Sequence, residues 1–200
     1  MNASIRNRLS ALKEVVQSMT RLCSEGLNEA TLVSQGERLM RSLVAQDNWL
    51  PDTLAQPHPE FYRQYLLHAD PLGRFSLVSF VWGPGQQTPV HDHTVWGIIG
   101  MLRGSEFSQR FAATATGALV AGAEHRLDPG DVEVVSPTVG DIHRVRNAYA
   151  DQVSVSIHMY GGNIGEIARH VFDPATGATK PFVSGYSNPM VPNLWGPDQT

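Results

Sequence analysis

Apolar positions follow two different periods along this chain. In the first quarter they recur every three or four residues: Ile5, Leu9, Leu12, Val15, Val16 and Met19, then Leu32, Leu39, Leu43 and Val44. That spacing paints one face of a helix. It predicts an amphipathic helix over about 4–22 and a second over about 28–46, with Asn28 as its cap. Pro51, Pro57 and Pro59 then break the chain, and the run from Pro59 to Leu67 predicts a short helix over 59–67. From Phe75 the pattern becomes strand-like. Phe75 to Trp82 ends at the turn Gly83-Pro84-Gly85, and further short strands are predicted over 94–102, 106–113, 118–121, 131–135, 142–148 and 153–160. Short strands at such intervals, most of them separated by Gly or Pro clusters, argue for an all-β sandwich or barrel. After Phe172 the chain is rich in Pro, Gly, Ser and Asn and is expected to wrap the barrel as an irregular tail. The expectation is one mainly β domain: a helical part over about 1–68, a barrel over about 74–172 and a tail over 173–200.

Composition narrows the function classes. The 200 residues are 42% hydrophobic and 17% charged, which suits a globular chain with a sizeable core. A formal charge of −4, with no basic run, argues against a nucleic-acid partner. The one cysteine, Cys23, can form neither an internal disulfide nor a cysteine-based zinc site. No apolar run approaches the ~18–20 residues of a membrane span, and the N-terminus carries charges instead of an apolar signal core. A soluble, cytoplasmic protein with no membrane partner is expected.

The chemistry is concentrated in histidines. His91 and His93 stand two apart, and in a strand such residues point to the same face. His143 follows far downstream in Gly140-Asp141-Ile142-His143. Neutral imidazole is a ligand for iron, zinc, copper and nickel, so these three are expected to bind one metal ion inside the barrel. His58, His68, His125 and His170 lack such a setting and read as ordinary surface or core residues. Glu106 comes too late after the pair to join it and falls on the next predicted strand. Three neutral ligands leave a divalent ion its full charge, which suits a thiolate, because metal coordination deprotonates thiols. A second polar face lies on 154–160, where Ser156, His158 and Tyr160 alternate with Val155, Ile157 and Met159. These three can hydrogen-bond to one another in series and are expected to face the metal as a proton and orientation relay.

Gly83 to Gly104 and Gly130 to Asn147, the second with Pro137 and His143 in place, resemble the two motifs of the cupin family. That resemblance implies a double-stranded β-helix, or jelly-roll, barrel. Cupins often carry a metal-binding glutamate a few residues after the histidine pair, and here Val95-Trp96-Gly97-Ile98 contains no carboxylate. With Ser156, His158 and Tyr160 added, residues 60–172 resemble the thiol dioxygenases, meaning cysteine dioxygenase and its bacterial relatives. The resemblance implies mononuclear non-haem Fe(II), O2 as oxidant, and conversion of a small thiol carboxylate to its sulfinic acid. Mammalian-type members hold the substrate carboxylate with an arginine ahead of the barrel, and Gln64 stands at the matching position, next to Arg63. The glutamine-type bacterial branch resembles 3-mercaptopropionate dioxygenase and uses an arginine after Tyr-Gly-Gly-Asn, which here is Arg169. Gln64 and Arg169 therefore favour 3-mercaptopropionate over L-cysteine as substrate, and whether Arg169 or Arg63 meets the carboxylate stays open. Mammalian-type members also crosslink a cysteine to the active-site tyrosine, but about that position this chain has Gly97. An unmodified Tyr160 is expected. Trp82, Trp96 and Met101 either wall the pocket or pack the core. Two other readings stand beside this one: a cupin enzyme of different chemistry on zinc, nickel or manganese, and a non-catalytic metal-binding cupin that senses or stores a small molecule. The sequence leaves the oligomeric state open.

Overall fold

The structure is a computed structural model that describes residues 9–115 and 117–195. Two helices lead the described chain, α1 over Ser10–Leu22 and α2 over Glu29–Val44. On α1 the predicted stripe is buried at Leu12, Val15, Val16 and Met19; on α2 Leu43 and Val44 are buried as expected, Leu32 and Leu39 are only partly buried against the same cluster, and Met40, outside the predicted stripe, is fully buried. Positions 4–8 of the first expected helix lie outside the described residues. Asn28 caps α2 as expected, its Oδ1 accepting the Thr31 backbone N–H at 2.9 Å.

Eleven strands follow among the described residues: β1 Arg63–Ala69, β2 Ser76–Trp82, β3 Val90–His91, β4 Gly97–Arg103, β5 Glu106–Ala113, β6 Leu119–Leu127, β7 Val132–Val135, β8 His143–Asn147, β9 Ser154–Tyr160, β10 Arg169–Phe172 and β11 Thr179–Phe182. They form two antiparallel sheets, ordered β1-β2-β9-β4-β7 and β11-β10-β3-β8-β5-β6. The chain crosses repeatedly between them, with β2, β4, β7 and β9 in one sheet and β3, β5, β8 and β10 in the other. That interleaving makes a double-stranded β-helix, the expected jelly roll.

The five-stranded sheet is covered on both faces, so β2 and β9 are buried along their whole length. Leu77, Val81, Ile98, Leu102, Val155, Ile157 and Met159 point outward and pack with α1 and α2 into the largest core cluster. Truncating one of these to alanine should cost about 2–5 kcal/mol. The helices seat closely. A Cβ on Gly100 of β4 would lie 2.6 Å from Met40 Cγ of α2, so any larger residue there pushes the helix off the sheet. Trp82 and Met101 face the interior between the sheets, while Trp96 packs into the helix-side cluster, its indole against Gly161.

Four expectations need correction. Residues 59–67 do not form a helix; Arg63–Ala69 is a strand at the edge of the first sheet. Tyr65 and Leu67 turn to the helix-side core while Leu66 packs with the interior cluster, a period-two pattern that β2 enforces through pairing. Strand 94–102 begins at Gly97 instead, because Thr94 takes φ 60°, outside the β region. Strand 118–121 runs on to Leu127 as one arm of the β5–β6 hairpin. The tail is not wholly irregular: β11 pairs with β10, and Ser187 and Asn188 then bond the backbone of β1 at Gln64 and Leu66. Short polar strands such as β10 and β11 carry little periodicity, which is why they read as loop.

Candidate metal centre

β3 brings His91 opposite His143 of β8, the two being in-register partners. Paired residues of an antiparallel ladder project to the same face. His93 arrives differently. It lies past the end of β3, so its approach does not follow from strand alternation; a turn through Thr94 carries it there. All three side chains are buried, and one ring nitrogen from each lies within 4.8 Å of the others. Among the described residues no other group of three or more His, Cys, Asp or Glu side chains converges in this way.

The ring orientations are set by acceptors. His93 Nδ1 lies 2.8 Å from Asp141 Oδ1, and His91 Nδ1 lies 3.1 Å from the Pro89 carbonyl oxygen. A neutral imidazole donating from Nδ1 presents its Nε2 lone pair. Asp141 also accepts the backbone N–H groups of His93 and Thr94 at 3.0 and 2.8 Å through Oδ2, which holds Thr94 in its unusual conformation. Burial pushes His91 down to about 3, with neighbouring His93 adding to the shift, and it pushes His143 in the same direction. His91 and His143 thus stay unprotonated at neutral pH. Buried neutral imidazoles converging without protons suit a divalent ion. Asp141 carried no role in the sequence reading, although it stood in the motif; the signal available was the carboxylate two residues ahead of a candidate ligand.

β9 forms the wall beside the cluster. Ser156 Oγ lies 2.8 Å from His158 Nε2, and His158 Nδ1 lies 2.8 Å from Tyr160 Oη, the expected series. β9 does not neighbour β8; it sits between β2 and β4 in the opposite sheet and faces the ligands across the barrel. The Tyr160 and His93 rings stack with centroids 5.4 Å apart, and Phe80 stacks on His158 at 4.0 Å. Burial lowers the His158 pKa and raises that of Tyr160, so both rest neutral. Gly97 is the in-register partner of Tyr160, and a Cβ there would lie 3.0 Å from Tyr160 Cε1. Cys23 caps the end of α1, in the helix-side cluster.

Arg169 is buried on β10, two residues before Val171, the in-register partner of His91, and so shares the ligand face. Its Nη2 donates to Ser184 Oγ at 2.7 Å, its guanidinium lies over the Phe182 ring, and its Nε has no partner. Burial lowers its pKa, and the Tyr160, Tyr62, Asp92 and Tyr186 side chains act in the opposite sense. Gln64 pairs in register with Phe80 of β2, whose side chain stacks on His158, so Gln64 shares the barrel face. Its Oε1 is buried without a partner. Arg63 falls on the opposite face of β1 and lies over the Phe61 ring. His58, His68, His125 and His170 stay out of the cluster; His170 pairs with Asp92 and His58 stacks on Phe61.

The chain is similar in sequence to known proteins. The family model described as cysteine dioxygenase type I matches residues 3–173. Human cysteine dioxygenase type 1 is 30% identical over 108 residues, covering 52% of each chain, and the bovine protein is 29% identical over the same length. The chain therefore matches about half the length of these curated relatives. Among solved structures, a conserved protein with a double-stranded β-helix domain from Klebsiella pneumoniae superposes over 56% of this chain and 87% of its own. Its TM-score is 0.45 at 17% identity. An oxalate oxidase in complex with the substrate analogue glycolate superposes over 52% and 53%, with a TM-score of 0.42 at 17% identity. With the family model matched over most of its length, the chain belongs to the cysteine dioxygenase type I family.

Proposed function

We propose that this protein is an iron-dependent thiol dioxygenase. It adds both atoms of O2 to the sulfur of a small mercapto-carboxylate to give the sulfinic acid, with 3-mercaptopropionate preferred over L-cysteine. The reaction RSH + O2 → RSO2H balances without an external electron donor. One observation carries the reading: a buried cluster of three imidazoles beside a neutral Ser156–His158–Tyr160 chain and a buried, incompletely paired guanidinium.

His91, His93 and His143 would hold the ion. Fe(II) held there would supply a divalent Lewis acid that favours the thiolate form of the substrate. The protein's part is positioning. Arg169 offers its free Nε and its charge to the substrate carboxylate, and Ser184 and Phe182 fix its approach. Gln64, a neutral amide with a free carbonyl, can accept a hydrogen bond at the same end of the barrel but cannot form a charged pair. Phe80, Trp82 and Val78 wall the interior and exclude water. Tyr160, kept as phenol by burial, holds a proton at Oη beside the cluster, and His158 and Ser156 hold Tyr160 in place.

Oxygen consumption after anaerobic Fe(II) loading tests the proposal, with 3-mercaptopropionate, L-cysteine, cysteamine or no thiol added. Uptake is expected with the two carboxylates, faster with 3-mercaptopropionate, and weak with cysteamine. Thiol-independent uptake, or none with any thiol, would remove the assignment.

A further inference from the structure

The hydrogen-bond chain on β9 does not end at Ser156. Glu106 opens β5 with its side chain wholly buried inside the barrel. Its carboxyl abuts the Ser156 hydroxyl and the Trp82 indole N–H, yet neither carboxyl oxygen completes a hydrogen bond of good geometry. Its in-register neighbours, Leu127 on β6 and Asn147 on β8, do not ionise. Trp82 faces it from β2 and Ser156 from β9. The charged group acting on it is another carboxylate, Glu133 of β7, which in turn lies 3.3 Å from Arg110 of β5 and 3.4 Å from His125 of β6. A carboxyl without a cation, out of water and near a like charge, keeps its proton. Burial accordingly pushes Glu106 up to about 8.

Ser156 Oγ can accept two hydrogen bonds and donate one. Trp82 Nε1 lies 3.3 Å from it and supplies one donor. A protonated Glu106 supplies the other, which leaves the Ser156 proton only His158 Nε2 to meet. His158 must then carry its proton on Nδ1 and donate it to Tyr160 Oη, so the phenolic proton is free to point away from the chain. With Glu106 ionised the order reverses. Ser156 donates to the carboxylate, His158 donates from Nε2, and Tyr160 spends its proton on Nδ1. The two states differ by one proton: Glu106 passes its proton to Ser156, Ser156 to His158 Nε2, His158 Nδ1 to Tyr160, and the outer Tyr160 proton leaves.

We propose that Glu106 is a positioning residue that, as a neutral acid, sets the direction of the Ser156–His158–Tyr160 hydrogen-bond chain and so presents the Tyr160 hydroxyl proton to the metal cluster. The catalytic consequence rests on the thiol dioxygenase reading; the direction of the chain does not. Two arms test it. In the first, thiol-dependent oxygen uptake is followed against pH. The wild type is expected to lose kcat as pH rises through about 8, whereas Glu106→Gln, whose amide donates at every pH, has that fall moved up by about one unit or more. Glu106→Leu, which cannot donate, is expected to lose kcat about tenfold across the range with KM unaltered, part of what a positioned proton donor supplies. In the second arm the protein as purified is studied by infrared spectroscopy. A protonated-carboxyl stretch is expected at neutral pH, absent in Glu106→Gln. The Tyr160 C–O mode, assigned with Tyr160→Phe, is expected to shift as Glu106 titrates, and to stay put in Glu106→Gln. Coincident pH profiles for wild type and Glu106→Gln, or a Tyr160 mode indifferent to Glu106, would overturn the proposal. Absence of thiol-dependent uptake in the wild type would count against the dioxygenase reading, and the infrared arm would still decide the direction of the chain.

Discussion

Asp141 grips His93 twice: Oδ1 lies 2.8 Å from the ring Nδ1, and Oδ2 accepts the His93 backbone N–H at 3.0 Å. One carboxylate thus fixes the tautomer of the ring and the turn that delivers it. Asp141→Asn keeps the shape and loses the charge, and should weaken metal affinity about 10–100-fold, as measured by competition with a chromophoric chelator. Affinity equal to the wild type would show that His93 is oriented by packing alone.

The free Nε of Arg169 and its bond to Ser184 make a selective prediction. Arg169→Gln should raise KM for 3-mercaptopropionate about 30-fold or more, the loss of a charge-assisted hydrogen bond worth about 2 kcal/mol or more. Turnover of cysteamine, which has no carboxylate, should change far less. Ser184→Ala should give a smaller rise in KM, since it removes only the group that steers the guanidinium. A uniform loss across all three thiols would point to a structural effect.

Gly97 facing Tyr160 bears on covalent modification. The chain has one cysteine, and Cys23 lies in the helix-side cluster, on the opposite face of β9 from Tyr160. After turnover with iron and O2, the denatured wild type should still titrate one free thiol, and its intact mass should match the sequence. A missing thiol with two hydrogens lost would show a crosslink.

Stability against pH has two opposed signs. His91, at about 3 when folded against 6.5 unfolded, binds protons mainly in the unfolded chain. The metal-free protein should therefore be fully stable with respect to His91 above about 6.5 and lose stability as pH falls from there toward 3. Glu106 has the opposite linkage, being raised from 4.5 to about 8 by folding. Its penalty is absent below 4.5 and complete above about 8, where it reaches at most roughly 5 kcal/mol. Denaturant midpoints of wild type and Glu106→Gln should converge near pH 4.5 and diverge, in favour of the variant, toward pH 9. Parallel curves would mean that Glu106 ionises normally.

Much of this site was readable in the sequence because its residue types are chemically expensive to place elsewhere. His91, His93 and His143 stand in turn-rich contexts, and the alternation of Ser156, His158 and Tyr160 survives intact in β9. What escaped was tertiary. Arg63–Ala69 has apolar residues compatible with either period, and only pairing with β2 makes it a strand. On the same strand Gln64 shares the barrel face while Arg63 points the other way, a distinction that comes from the pairing and not from the spacing. Its distance along the chain from His93 sets Glu106 apart from the ligands. Its burial beneath Ser156 arises from the β5–β8 pairing, which no local pattern shows.

The central claim is that both oxygen atoms of one O2 reach the substrate sulfur in a site built by His91, His93, His143, Tyr160 and Arg169. Turnover of 3-mercaptopropionate by the iron-loaded protein under 18O2, followed by mass spectrometry of the product, tests it directly. The account predicts a sulfinic acid with both sulfur-bound oxygens labelled. A disulfide product, or a sulfinate with one or no labelled oxygen, would contradict it.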